Sequence, residues 1–143
     1  MEDKVKPIEI DEYTLAEHSP TVEEYQRLRK GVGWENLDIE ATQIGLENSL
    51  FSVCAVYKDE VVGCGRVIGD GGIYFYIQDV IVLPEFQRKG IGKQIMNKVL
   101  SYLSSHARPS AFIGLMAAKG SSKFYEKYGF VERPSDRPGM FRI

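Results

Sequence analysis

Six consecutive residues, Gln87-Arg88-Lys89-Gly90-Ile91-Gly92, combine two glycines with two cations just ahead of a run whose apolar residues recur every fourth position. A glycine-bearing turn that opens a helix leaves amide N–H groups unpaired and pointing outward. The helix dipole favours negative charge there, and glycine lets the backbone approach a ligand closely. Arg88, Lys89 and Lys93 add formal positive charge. The chemistry such a turn performs is phosphate binding. The Q/R-x-x-G-x-G spacing alone is a weak signal, because glycine frequency produces it in roughly one chain in fifteen of this length. No G-K-[ST] completes a P-loop, and the first glycine of a dinucleotide-binding fingerprint is missing. Nucleotide hydrolysis and hydride transfer therefore both recede.

Asp79 is the only carboxylate inside the long apolar run from Ile73 to Leu83. A carboxylate buried there would suit proton abstraction, directly or through water. The same residue is equally suited to capping a strand bulge or bonding to backbone. His18 and His106 are isolated and no His/Cys/Asp cluster has ligand spacing, so no metal is expected. Cys54 and Cys64 form no CxxC pair, and buried reduced thiols are the expectation. With Lys58-Asp59-Glu60 as a hairpin turn, the two cysteines lie opposite each other on neighbouring strands.

The elements that must position these residues read as follows. Ile8 to Tyr13 suits a first strand, and Thr21-Val22-Glu23-Glu24 is a capping box opening a helix toward Lys30. A second helix covers Asp38 to Asn48. Leu50 to Tyr57 and Val61 to Ile68 form a hairpin, and Gly69-Asp70-Gly71-Gly72 turns the chain into Ile73–Leu83, expected as a central strand buried on both faces. Ile91, Ile95, Val99 and Leu103, with Met96 and Leu100, give the next helix one apolar stripe. A strand over Ala111 to Ala117, a short helix over Ser121 to Tyr128 and a closing strand pair, Phe130–Glu132 with Met140–Ile143, complete an α/β sandwich. No repeat or linker divides the 143 residues, and 43% apolar composition suffices for one core, so residues 1–143 read as a single domain.

A formal charge of −2 provides no global field for nucleic acid or an anionic membrane. Met1 to Pro20 holds no apolar run of signal-peptide or membrane-span length, and a soluble cytoplasmic protein is expected.

The phrase Val80-Ile81-Val82-Leu83-Pro84-Glu85-Phe86-Gln87, followed by the basic glycine turn, resembles the strand and pyrophosphate loop of the GNAT superfamily of N-acetyltransferases. Downstream, Phe124-Tyr125-Glu126-Lys127-Tyr128-Gly129-Phe130 is similar to the family's F/L-Y-E-K-x-G-F segment. The likeness is specific from about Tyr74 to Phe130. It departs where the family often has Asn seven and Ala four residues before the tyrosine; here those positions are Ala118 and Ser121.

The resemblance implies the GNAT fold, a mixed central sheet flanked by helices, with acetyl-CoA as cosubstrate and the amine attacking the thioester without an acyl-enzyme. Gln87, Arg88, Lys89, Gly90, Ile91, Gly92 and Lys93 would hold the pyrophosphate. Val80 and Val82 would present amides to the thioester oxygen, supported by Ile81. Tyr125 would protonate the departing thiolate, a transfer costing only about 2 kcal/mol between reference pKa values. An alkyl amine is only about 1 part in 2,500 neutral at pH 7, so the reaction needs somewhere for that proton to go. Asp79 is the first candidate base, with Glu35, Asp38 and Glu40 beside Trp34 as alternatives from the region that walls the acceptor site in the family. The expected acceptor is a small-molecule amine. A protein lysine or N-terminus, or a non-catalytic acyl-CoA-binding module, are the other readings, and a homodimer is left open.

Overall fold

The structure is a computed structural model that describes residues 12–143. Its order is β1 (Tyr13–Ala16), α1 (Val22–Gly31), α2 (Ile39–Glu47), β2 (Phe51–Tyr57), β3 (Glu60–Gly69), β4 (Tyr74–Val82), a 3-10 turn (Pro84–Phe86), α3 (Ile91–His106), β5 (Phe112–Leu115) and α4 (Ser122–Glu126). The five strands form one sheet in sequential order, antiparallel from β1 to β4, with β5 added parallel to β4. Of the expected first strand, Tyr13 lies in β1, and Ile8 to Asp11 fall outside the described residues.

Local chemistry starts each helix. Thr21 Oγ1 accepts the Glu24 amide at 3.1 Å while Glu24 Oε1 accepts the Thr21 amide at 2.9 Å, the reciprocal capping box. Asp38 caps α2 through the Ala41 amide at 2.9 Å. Lys58 and Asp59 both adopt positive φ, 47° and 65°, which matches the right-handed twist of the flanking β2 and β3.

Such caps contribute about 1 kcal/mol each, whereas the packing of α3 is an order of magnitude larger. Its stripe of Ile91, Ile95, Met96, Val99 and Leu103 is buried against Val53, Val67, Phe75 and Ile77 of the sheet. Five such side chains contribute on the order of 10 kcal/mol of gross burial. Gly63 and Gly65 in β3 let the helix lie this close: a Cβ on Gly65 would stand 2.6 Å from Ile95 Cγ2. The other face of the sheet carries α1 and α2 over a smaller cluster of Leu28, Cys54, Val61, Cys64 and Ile81.

Two expectations need correction. The start of β4 is not buried on both faces: Phe75 and Ile77 enter the core, but Tyr74 and Tyr76 are exposed and pack against Phe112. α3 covers only the opposite face of that end. The closing strand pair is also absent, because residues 131–143 carry no strand and are exposed throughout. Pro134 and Pro138 remove two ladder donors from this short stretch, and the Arg137 amide instead closes a turn onto Pro134 O at 2.9 Å.

Gly65→Val should overpack the β3–α3 contact and destabilise the fold by about 1–3 kcal/mol. A lowered urea midpoint with an unchanged m-value is the expected result.

Candidate active site

The basic glycine turn lies between β4 and α3. Gly90 caps α3 in the left-handed conformation, φ 86°, and Arg88 is also left-handed at φ 63°. Their positive φ turns successive amides outward. The first amide of the helix to find a backbone acceptor is that of Gln94, which donates to Gly90 O at 3.1 Å. Among the described residues the amides of Arg88 through Lys93 have no acceptor, and no side chain caps the helix. There is no acidic residue in the first turn, and Arg88, Lys89 and Lys93 make no ion pair with a described residue. Three cations at the positive end of a helix dipole oppose one another, and an anion bound there relieves the repulsion.

Not every residue of the turn contributes in the same way. Ile91 is 1% exposed in the α3 core, which leaves only its amide to face outward. Gln87 Nε2 donates to Val82 O at 2.8 Å and so ties the loop to the end of β4.

β4 and β5 pair only from Tyr74 to Ile77, and beyond that β4 continues to Val82 without a neighbour on that side. The opening begins at a β-bulge: between Cys64 and Arg66 on β3 there is one residue, but between Ile81 and Gln78 on β4 there are two, Asp79 and Val80. Asp79 takes φ 55°, rare for a non-glycine inside a strand. The Leu83 amide donates across to Val62 O at 2.9 Å. Alternation along the strand therefore turns the Val82 and Val80 amides toward the open β5 side, where Gln87 meets the Val82 carbonyl. Ile81 points the other way, its side chain 2% exposed in the α1 cluster.

Asp79 is not the solitary buried carboxylate expected of a base. Arg66 Nε donates to its Oδ2 at 2.8 Å and Arg29 Nη1 stands 3.9 Å from Oδ1, all three side chains being 11–17% exposed. It is an ion-pair partner that holds the bulge. Arg29 also stacks over Tyr25 and Trp34, at 5.7 and 5.3 Å from the ring centroids, and its Nε donates to Glu35 O. Trp34 thus packs between the core and a guanidinium. Burial and the Asp79 charge push the Tyr25 phenol upward. Of the alternative bases, Glu35 and Glu40 are exposed, and Asp38 spends Oδ2 on its cap.

Tyr125 lies in α4, edge-on to Phe124 at 5.1 Å and Phe130 at 6.3 Å. Burial raises its pKa, so the hydroxyl keeps its proton well beyond neutral pH, and it has no partner among the described residues. The neighbouring Phe124 ring lies over Gly92, where an added Cβ would be 3.6 Å away. The tyrosine segment and the phosphate turn therefore meet at one end of the cleft, though they are distant in sequence. Arg66 escaped the sequence reading. The available signal was a single charge within an apolar strand, which needs a counter-charge on a neighbour.

The cysteines sit in register across β2 and β3, both buried and free. Burial pushes Cys54 up to about 12 and raises Cys64 further. Thiols held this far from ionisation are packing residues.

A protein of unknown function from meticillin-resistant Staphylococcus aureus, described as a probable acetyltransferase, has a similar solved structure: TM-score 0.87 at 36% identity, covering 92% of this chain and 98% of that one. The uncharacterized N-acetyltransferase ycf52 of Pyropia yezoensis is 29% identical over 92% of this chain and 76% of its own length. Histone acetyltransferase TAP1 of Glycine max is 29% identical over 84% of this chain and 56% of its own. The family model of the acetyltransferase (GNAT) domain matches residues 20–139, a span that holds the bulged strand, the open cleft and the phosphate turn together. With that span matched and the sheet opening between β4 and β5, the chain belongs to the GNAT superfamily of N-acetyltransferases.

Proposed function

We propose that the chain transfers the acetyl group of acetyl-CoA directly to a primary amine of a small molecule, with residues 1–143 acting as one cytoplasmic catalytic domain. The observation that carries the cofactor half is the unsatisfied N-terminus of α3, with free amides, no cap, no acid and three unpaired cations. A diphosphate fits that donor set. Acetyl-CoA, when bound, supplies an activated acetyl thioester with a thiol leaving group.

The chain's own residues would do the rest. Amides and cations from Arg88 to Lys93 bind the diphosphate, and Phe124 closes over Gly92 beside it. The Val80 and Val82 amides face the cleft and donate to an oxygen that gains negative charge there. Tyr125 supplies its proton from Oη, which burial keeps in the hydroxyl form. Asp79 positions the bulge through its two arginines; the amine enters neutral, having lost a proton to solvent, and the proton it sheds as the amide forms restores Tyr125 Oη, which has given its own to the thiolate.

The acceptor half rests on a cavity of about 300 Å³ between α1, α2 and β3. That is about ten waters of liquid volume, room for a small molecule. The kinship with a histone acetyltransferase favours a protein amine as the second reading. Acetylation of lysine peptides but of no free small amine would decide for it.

A homodimer is supported by two unpartnered features. The outer edge of β5 pairs with no strand among the described residues, and the strandless tail exposes Val131, Met140, Phe141 and Ile143. A second copy covering both would account for them. Light scattering should give twice the chain mass, falling to one chain mass when residues 131–143 are removed.

Two kinetic outcomes are expected. Reversing charge at both Arg88 and Lys89 should weaken CoA binding by calorimetry about ten- to a hundredfold, and raise KM for acetyl-CoA more than it lowers kcat. Tyr125→Phe should lower kcat about a hundredfold with little change in that KM. CoA binding without turnover of any amine, indifferent to Tyr125→Phe, would instead indicate a non-catalytic binding module.

A further inference from the structure

The acceptor cavity has a cation at its floor. Arg66 reaches it from β3, on the sheet face that α1 and α2 cover, with only 17% of its side chain exposed. Three hydrogen bonds fix its guanidinium plane: Nε to Asp79 Oδ2 at 2.8 Å, and Nη1 to Gly45 O at 3.2 Å and Ser49 Oγ at 3.0 Å. Nε and Nη1 lie on opposite sides of the guanidinium, and both protons of Nη1 are used. Nη2 has no acceptor among the described residues. It is not sealed in either, because the only buried side-chain polar atom without a partner among the described residues is Ser52 Oγ. The open space that Arg66 lines is this cavity.

The charges around the floor do not cancel. Asp79 is a single carboxylate between two guanidiniums, so Arg29, Asp79 and Arg66 together carry one surplus positive charge. The one acid among the lining residues, Asp38, has its Oδ2 bound to the start of α2. The walls between rim and floor are apolar or aromatic, from Leu37, Leu46 and Tyr25. A rigid guanidinium with one unpartnered nitrogen, Nη2, can donate to a carboxylate oxygen, and the surplus charge disfavours a cation such as a lysine side chain or a polyamine.

The floor also lies beside the chemistry. Arg66 is bonded to Asp79, the first bulge residue, and the next residue is Val80, whose amide turns to the cleft. Adjacent strands are about 4.8 Å apart, so a group held at Arg66 is one strand away from the open segment of β4. A small molecule can bridge that span.

We infer that the acceptor is a small amine carrying its own carboxylate, which Arg66 Nη2 binds at the floor of the α1–α2 cavity while the amine reaches past Asp79 toward β4. This rests on the acetyltransferase reading above and specifies its acceptor. Recognition of this kind discriminates strongly, because an acceptor without the carboxylate leaves a mostly buried guanidinium nitrogen unpaired.

The test pairs amines that differ only in the carboxylate: the proteinogenic amino acids, β-alanine and 4-aminobutyrate against their decarboxylated amines, with thiol release from acetyl-CoA as readout. At least one carboxylated member should be preferred in kcat/KM by about tenfold or more over its partner. Arg66→Lys keeps a cation for Asp79 but loses the Nη2 donor, and should raise KM for that acceptor about tenfold or more while KM for acetyl-CoA holds. Gly45→Leu leaves Arg66 intact and places a side chain where a Cβ meets nothing within 4 Å; it should raise acceptor KM in the same way. Equal use of both members of every pair, or acceptor KM unmoved by Gly45→Leu, would overturn the inference. So would acetyl-CoA binding in calorimetry with no carboxylated amine turned over, and the cofactor reading would then still stand. If acetyl-CoA itself fails to bind, the cofactor reading falls, and calorimetry of the amino-acid panel against wild type and Gly45→Leu still decides the Arg66 site.

Discussion

The ion pair between Arg66 and Asp79, braced by Arg29, is the interaction on which the rest of the site depends. It joins β3 to the bulge of β4 and, through Gly45 and Ser49, to the end of α2. A left-handed aspartate inside a strand is strained, and it persists only where its surroundings hold it. Here two guanidiniums do so. Removing one partner of such a mostly buried pair costs about 3–5 kcal/mol, because the other charge is left uncompensated. The bulge in turn separates β4 from β5 and exposes a short segment of strand backbone that an ordinary sheet would have paired.

A second constraint acts at the far end of that segment. The N-terminus of α3 concentrates unpaired amides and cations where the helix dipole is already positive. Folding alone gives no reason to put them together, and the deeply buried stripe of α3 supplies the stability that tolerates them. Packing and surplus positive charge are thus divided along one helix. The first turn is unfavourable without an anion, and the following turns are core.

Between these two constraints the sheet separates its faces by function. The α3 side is hydrocarbon from Val53 to Leu103 and carries no ionisable group in its buried cluster. The α1–α2 side is thinner, and it holds the arginines, the aspartate, the cysteines and the cavity. Most polar groups buried on that side find a partner, down to the Cys64 thiol on Asp79 O at 3.2 Å, and Ser52 Oγ is the exception among the described residues.

Short-range physics was legible in the residues alone. The capping box at Thr21, the Lys58-Asp59 turn, the α3 stripe and the glycine turn each depend on neighbours within a few positions, so composition and period were enough to locate them. The bulge was legible only as one of two alternatives at Asp79, and the pair that decides it links residues thirteen positions apart. The closing strands were misread because strand formation depends on a partner edge as well as on local preference, and the tail meets none. What the sequence by itself determined was the family, the basic glycine turn and the strand ahead of it, since these are written in contiguous residues. What only the tertiary structure decided was the pairing of Asp79 with two arginines and the charge beside the α1–α2 cavity, because both arise where α1, α2, β3 and β4 converge and Coulomb forces act through space.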